Sequence, residues 1–401
     1  MTRKVDAKLV IKRMKLAVQL ILPVAMLTLS GCWDSTEVND LAIITAVGID
    51  RTEDQQLELT VKIYLISPSD IEGSNGMTGS GDTGSGQSVI RSVKGTSIAD
   101  AASRLQQVLT RKVFWGQAEV FMFGADMARH GLDEVMDFLT RQPTIRERAN
   151  VFISETSAKE VLALNPPIER SVSDALREMV NLQTWSGTSL MKLSQMMSGK
   201  SRAAIVPTVD IIEADYETPF PYISGIAIVK NGAMIDQIRE EDTLGIMWLR
   251  DIIKPRKTIT LEPGKHQYIS VQLIRGHTSL IPSIEDDRWK ITVRSESLVK
   301  IIENTTDRDY SIPDHLDQLE AELADHINRN INQAIDLAQQ KWKADIYQFA
   351  DVFHRAYPKI WARQKDRWEE LFPKVEVKLE TNVIIRRPGM TGKNIFKPGQ
   401  R

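Results

Sequence analysis

Leu29-Ser30-Gly31-Cys32 is the one place in this chain of 401 residues where residue types and spacing specify a reaction. Small residues ahead of a cysteine fit the cleft of a signal peptidase, and the thiol takes up a diacylglyceryl group. Cleavage then leaves Cys32 first in the mature chain, its amine open to an N-acyl group such as palmitoyl. Two acyl chains on one residue hold a protein at a membrane where a single chain binds only marginally. Cys32 is also the only cysteine, so its acylation removes disulfides and cysteine nucleophiles from the chemistry together.

Little else in the chain has the spacing of a reactive site. Histidines stand at 130, 266, 277, 315, 326 and 354, none with another His or a Cys at ligand spacing, which gives zinc no foundation. There is no Gly-x-Ser-x-Gly elbow, Walker loop or dinucleotide fingerprint. Glu240-Glu241 and Asp286-Asp287 could in principle serve as acid and base, but adjacent carboxylates on surface loops are usually solvated charge. Trp361, Trp368 and Phe372 suit either a partner surface or a core, with the core favoured. The expectation is a protein that is not an enzyme, with no metal and no cofactor beyond the lipid on Cys32.

The residues before Cys32 fit a signal peptide over 1–31. Arg3, Lys4, Lys8, Lys12, Arg13 and Lys15 outweigh Asp6, and the apolar run from Leu16 to Leu29 is broken by Gln19 and Pro23. That run is shorter than the roughly 20 residues of a spanning helix. The expected place is the outer face of the cell membrane, held by lipid. Without residues 1–31 the chain carries 45 Lys+Arg against 52 Asp+Glu, a balance that argues against nucleic acid and against electrostatic adhesion to anionic lipids.

Roughly 370 mature residues exceed one core, so two or three domains are expected. LAIITAVGID at 41–50 and LELTVKIYLIS at 57–67 read as a hairpin, the second with Leu57, Leu59, Val61, Ile63 and Leu65 on one face. Residues 68–88 are Gly/Ser-rich and read as a mobile loop. Strands at 89–94, 116–124 and 148–155 alternate with helices from 97 to about 111, from 127 to about 141 and from 157 to 164. A helical stretch to 198 and a strand at 202–212 complete an N-terminal α/β region, residues 32–215, of one or two subdomains. A C-terminal α+β domain, 222–388, opens with a hairpin around Asn231-Gly232. It continues with a short helix at 242–250 and strands near 257–262, 267–275 and 287–302. From Leu316 to Phe353 apolar residues recur at steps of three and four, which predicts one long amphipathic helix laid on the C-terminal sheet. Residues 389–401 read as a flexible tail.

The opening of the mature chain, Cys32-Trp33-Asp34 with Glu37, Asn39-Asp40, Gly48 and Asp50, resembles the start of the Ger(x)C spore-germination lipoproteins. WGQAEVFMFG, RQPTIRERANVFISETSAKEVL, SGIAIVKNG and FHRAYPKIWARQKDRWEELFP follow in that family's order. Two departures are local. Thr243-Leu244-Gly245 stands where the family often has Thr-Arg-Gly, and Gln348-Phe349-Ala350 where it tends to have Gly-Phe-Gly. The resemblance implies three mixed α/β domains with mostly antiparallel or mixed sheets and no catalytic centre. It also implies a nutrient germinant receptor at the inner spore membrane, in which this type of chain joins two integral membrane subunits, A and B. The alternative is a lipoprotein that captures a small solute itself, which would need a cleft lined by aromatics.

Overall fold

The computed structural model describes residues 13–15, 37–64, 88–166, 168–182, 187–212 and 218–387. Cys32, Trp33, Asp34, most of the signal peptide, all but the last residue of the Gly/Ser-rich run and the C-terminal tail lie outside the described residues. From Ala42 on, the described residues form one compact unit.

The chain is mixed α+β with two mixed sheets. Its elements run β1 (Leu41–Arg51), β2 (Leu57–Tyr64), β3 (Ser88–Gly95), α1 (Ile98–Val108), β4 (Lys112–Phe114), β5 (Val120–Gly124), α2 (Ala125–His130), α3 (Asp133–Arg141) and β6 (Asn150–Ser154). There follow α4 (Ala158–Ala163), α5 (Val172–Asn181), β7 (Thr188–Ser189), α6 (Leu190–Ser198), β8 (Ala203–Ile212), β9 (Phe220–Lys230), β10 (Ala233–Arg239) and α7 (Leu244–Leu249). The last group is β11 (Thr258–Gly264), β12 (Gln267–Glu285), β13 (Arg288–Asn304), α8 (Pro313–Asp336), α9 (Phe349–Ala356), α10 (Pro358–Gln364), α11 (Trp368–Leu371) and β14 (Glu376–Arg387).

The large sheet has the order β10-β9-β8-β6-β5-β1-β2-β3, with β4 beside β1 and β7 beside β6. Its middle, β8-β6-β5-β1, is parallel, and hairpins flank it on both sides. Both faces are covered, so β5 is buried at every residue, as the middle strands of a parallel sheet are. One face packs Ile44, Val47, Phe121 and Ile153 against apolar residues of α1, α2, α3 and α6. The other packs Ala46, Met122 and Phe152 against Val161 and Leu162 of α4 and Leu176 of α5. The Asn231-Gly232 hairpin, with φ of 49° and 84° at its two turn residues, adds to this sheet through β8–β9 pairing.

The second sheet, β11-β12-β13-β14, is antiparallel but for the β13–β14 pair. Helix α8 begins on Pro313 and buries Leu319, Leu323, Ile327, Ile331 and Ile335 in one cluster with Val271, Ile291, Val293 and Val383 of this sheet. The expected helix-on-sheet packing is therefore present.

Three local expectations change. The helix expected over 127–141 is two helices, because Gly131 at φ 138° ends the first. The strand expected to stop at 275 runs to Glu285. Beyond Leu273 its outer edge has no β11 partner, which is where a strand tolerates a residue such as Pro282 that lacks a donor. The long helix ends at Asp336, followed by a π-type turn (Leu337–Trp342), a left-handed Lys343 and a loop to α9. Both pieces bury their apolar side, so the periodicity carries no trace of the break.

Candidate functional site

Among the motif residues within the described part, Glu37, Asn39 and Asp40 are exposed around a single 3-10 turn, Val38–Asp40. Gly48 and Asp50 sit two residues apart on β1 and face α4, where they do different work. The Asp50 carboxylate accepts the N–H groups of Ala158 at 2.7 Å and Lys159 at 3.0 Å, and Ser157 Oγ accepts that of Glu160 at 3.1 Å. The amides that open a helix are without partners inside it, and here strand and cap residue supply them. Burial pushes the Asp50 carboxyl above its usual range, and the two amide bonds pull it back in part. Gly48 lets the helix lie close: a Cβ there would sit 2.9 Å from Leu162 Cδ1 and 3.1 Å from Ala158 Cβ. At Gly124, on the neighbouring strand, a Cβ would overlap Asp50 Oδ1.

The other end of α4 meets Lys62 of β2. Its ammonium donates to Leu162 O at 3.1 Å and Leu164 O at 2.9 Å, and burial lowers its pKa to about 8. The hairpin thus offers an anion to the N-terminus of α4 and a cation to its C-terminus, each of the sign the helix dipole favours. Lys62 and Gly124 were not legible as site residues. The apolar alternation of β2 points Lys62 away from one core, and only the fold places α4 over that second face.

A second buried carboxylate organises the C-terminal part. Asp345 accepts the N–H groups of Phe349 at 2.9 Å and Ala350 at 2.8 Å, and the Trp368 indole N–H at 3.1 Å. Burial raises its pKa to about 6. The bend before α9 puts Gln348 in the left-handed region, at φ 62°. Nearby, the Arg250 guanidinium donates to Ile346 O and to Met196 Sδ, tying this loop to α6. Trp342 Nε1 donates to Asp236 Oδ2 at 2.6 Å, tying the π-type turn to β10.

Trp361, Trp368 and Phe372 are buried, as the core reading expected. With Trp289 and Phe353 they form an edge-packed block whose ring centroids lie 4.6–6.4 Å apart. The acid pairs stay at the surface. Glu240 pairs with Lys257 at 3.0 Å, while Asp286 and Asp287 have φ of 49° and 60° and make the tight turn between β12 and β13. His277 pairs with Asp251 at 3.0 Å. Among the described residues no three His, Cys, Asp or Glu side chains come together as metal ligands, and no helix is long and apolar enough to cross a membrane.

Four surface hollows of about 350 to 480 Å³ have no Trp, Tyr or Phe in their walls. One of about 470 Å³ lies on the C-terminal sheet between Arg275, His277, Glu296 and Asn382.

Comparison with known proteins covers most of the chain. The family model for the spore germination protein N-terminal domain matches residues 34–211, and that for the spore germination B3/GerAC-like C-terminal domain matches 224–389. YfkR of Bacillus subtilis (strain 168) is 27% identical over 383 residues, covering 94% of this chain and 97% of that protein. Spore germination protein KC of the same organism is 24% identical over 404 residues, covering 95% and 97%. The crystal structure of the GerBC protein superposes with a TM-score of 0.56 at 17% identity, over 87% of this chain and all of that one, a likeness of fold.

Proposed function

The chain belongs to the GerAC family of spore germination proteins, and from that premise we propose that it is the lipid-anchored subunit of a nutrient germinant receptor. It sits on the outer face of the inner spore membrane, held by the acylated Cys32, and works with two integral membrane subunits of the A and B type. Its part is assembly and signalling through surfaces, with no catalysis of its own.

The observation that carries this reading is the match to spore germination proteins from residue 34 to 389, in order and across both models. The buried charges are consistent with it: Asp50, Lys62 and Asp345 are each occupied with backbone groups at helix ends. The solute-capture alternative asks for an aromatic cleft, whereas four hollows among the described residues have polar and aliphatic walls.

The test is deletion of the gene in a strain stripped of its other germinant receptors, with germination followed on single nutrients by loss of optical density. The expected result is failure on at least one nutrient, restored by the wild-type gene. Unchanged germination on every nutrient would remove the assignment.

A further inference from the structure

The overall acidic balance of the chain is an average that hides a local reversal. Between 355 and 367 lie Arg355, Lys359, Arg363, Lys365 and Arg367 against Asp366 alone, and all five basic residues are exposed. Arg355 closes α9, Lys359 and Arg363 lie four apart on α10, and Lys365 and Arg367 lie on the 3-10 turn that follows. Only Arg367 makes an ion pair among the described residues, at 3.4 Å to Glu370. Like charges four apart on a helix repel, so Lys359 and Arg363 cost the fold something that nothing internal returns. Such a breach of a local rule is expected where a surface has a use.

We propose that this exposed basic stretch lies against an anionic lipid bilayer. The stretch turns its aromatic residues inward: Phe353, Trp361 and Trp368 are buried. What it presents between the charges is small, namely Ala356, Pro358 and Ala362. A protein interface is built around aromatic or other large apolar anchors, and this stretch exposes none. A charged bilayer needs only long, unpaired basic side chains, each strengthening binding by roughly fivefold. The contact is independent of the lipid on Cys32 and would fix which side of the protein faces the membrane.

The test uses the mature-length chain, residues 32–401 with Cys32→Ser so that no acyl group is attached. It is sedimented with vesicles of phosphatidylcholine alone or with one third phosphatidylglycerol. Binding is expected only to the anionic vesicles, and high salt should abolish it. The variant Arg355→Gln, Lys359→Gln, Arg363→Gln, Lys365→Gln should lose roughly a hundredfold or more in partition. Circular dichroism verifies its fold. A control with Arg91, Lys94, Lys112 and Lys192 changed to Gln should bind as the parent does. Equal loss in the control, or no binding to either vesicle, overturns the proposal. Salt-sensitive binding to polyglutamate without vesicle binding would give the stretch to an acidic protein and overturn it equally.

Discussion

Asp50 and Lys62, on adjacent antiparallel strands of one hairpin, hold opposite ends of the same six-residue helix. A helix this short is unstable by itself. It exists here because its first amides and last carbonyls are bonded by side chains anchored in a sheet. Gly48 and Gly124 leave the room that this arrangement needs.

Gly124→Ala should therefore act through Asp50. With the carboxylate displaced, two amides at the start of α4 lose their partner, at about 2–3 kcal/mol. Asp50→Ala should cost a similar amount, and the double variant clearly less than the sum of the two. Urea unfolding of all four proteins measures the coupling, and strict additivity would sever the link between the two residues.

The lowered pKa of Lys62 carries a pH signature. The folded state gives up this proton near pH 8, the unfolded chain only above about 10. The buried charge is thus a cost below pH 8 that is relieved as pH rises. Relative to Lys62→Met, the wild type should gain about 3 kcal/mol between pH 8 and roughly 10. Stability of both proteins measured across that window decides it, and parallel curves would contradict the buried-ammonium account.

Asp345 predicts the opposite slope at the other end of the scale. Its folded-state pKa of about 6 lies above the unfolded value, so its stabilising effect is complete at low pH and fades as the carboxyl ionises. Against Asp345→Asn, the wild type should lose about 3 kcal/mol between roughly pH 4 and pH 6. Trp368→Phe, which removes the indole donor, should move the end of that window upward.

Gln348→Gly should stabilise the protein. The left-handed backbone at φ 62° costs a residue with a Cβ about 1–2 kcal/mol, while glycine's extra freedom in the unfolded chain takes back about half. A gain of roughly 0.5–1 kcal/mol is expected, read as a raised melting temperature. A loss would mean that the Gln348 side chain has a role of its own.

Cys32→Ala tests the anchor. Expressed in its own host, the wild-type protein is expected in the membrane fraction and to incorporate labelled palmitate. The variant should incorporate none, and its retention of label would place the acyl group elsewhere.

What the sequence determined by itself is local. The Asn231-Gly232 turn and the stripe of α8 follow from backbone sterics and periodicity within a few residues. The aromatic residues near the C-terminus were readable as core on the same footing. Tertiary structure alone decided the rest. It joined the 220–239 hairpin to the large sheet, broke the long helix at Lys343 and laid α4 over the second face of β2. Each depends on pairing or burial between residues far apart in the chain, as Lys62 is from Leu162. Asp50 shows the boundary most clearly: the motif marked it as notable, but a carboxylate becomes a helix cap only when folding brings Ala158 and Lys159 to it, 108 and 109 positions away.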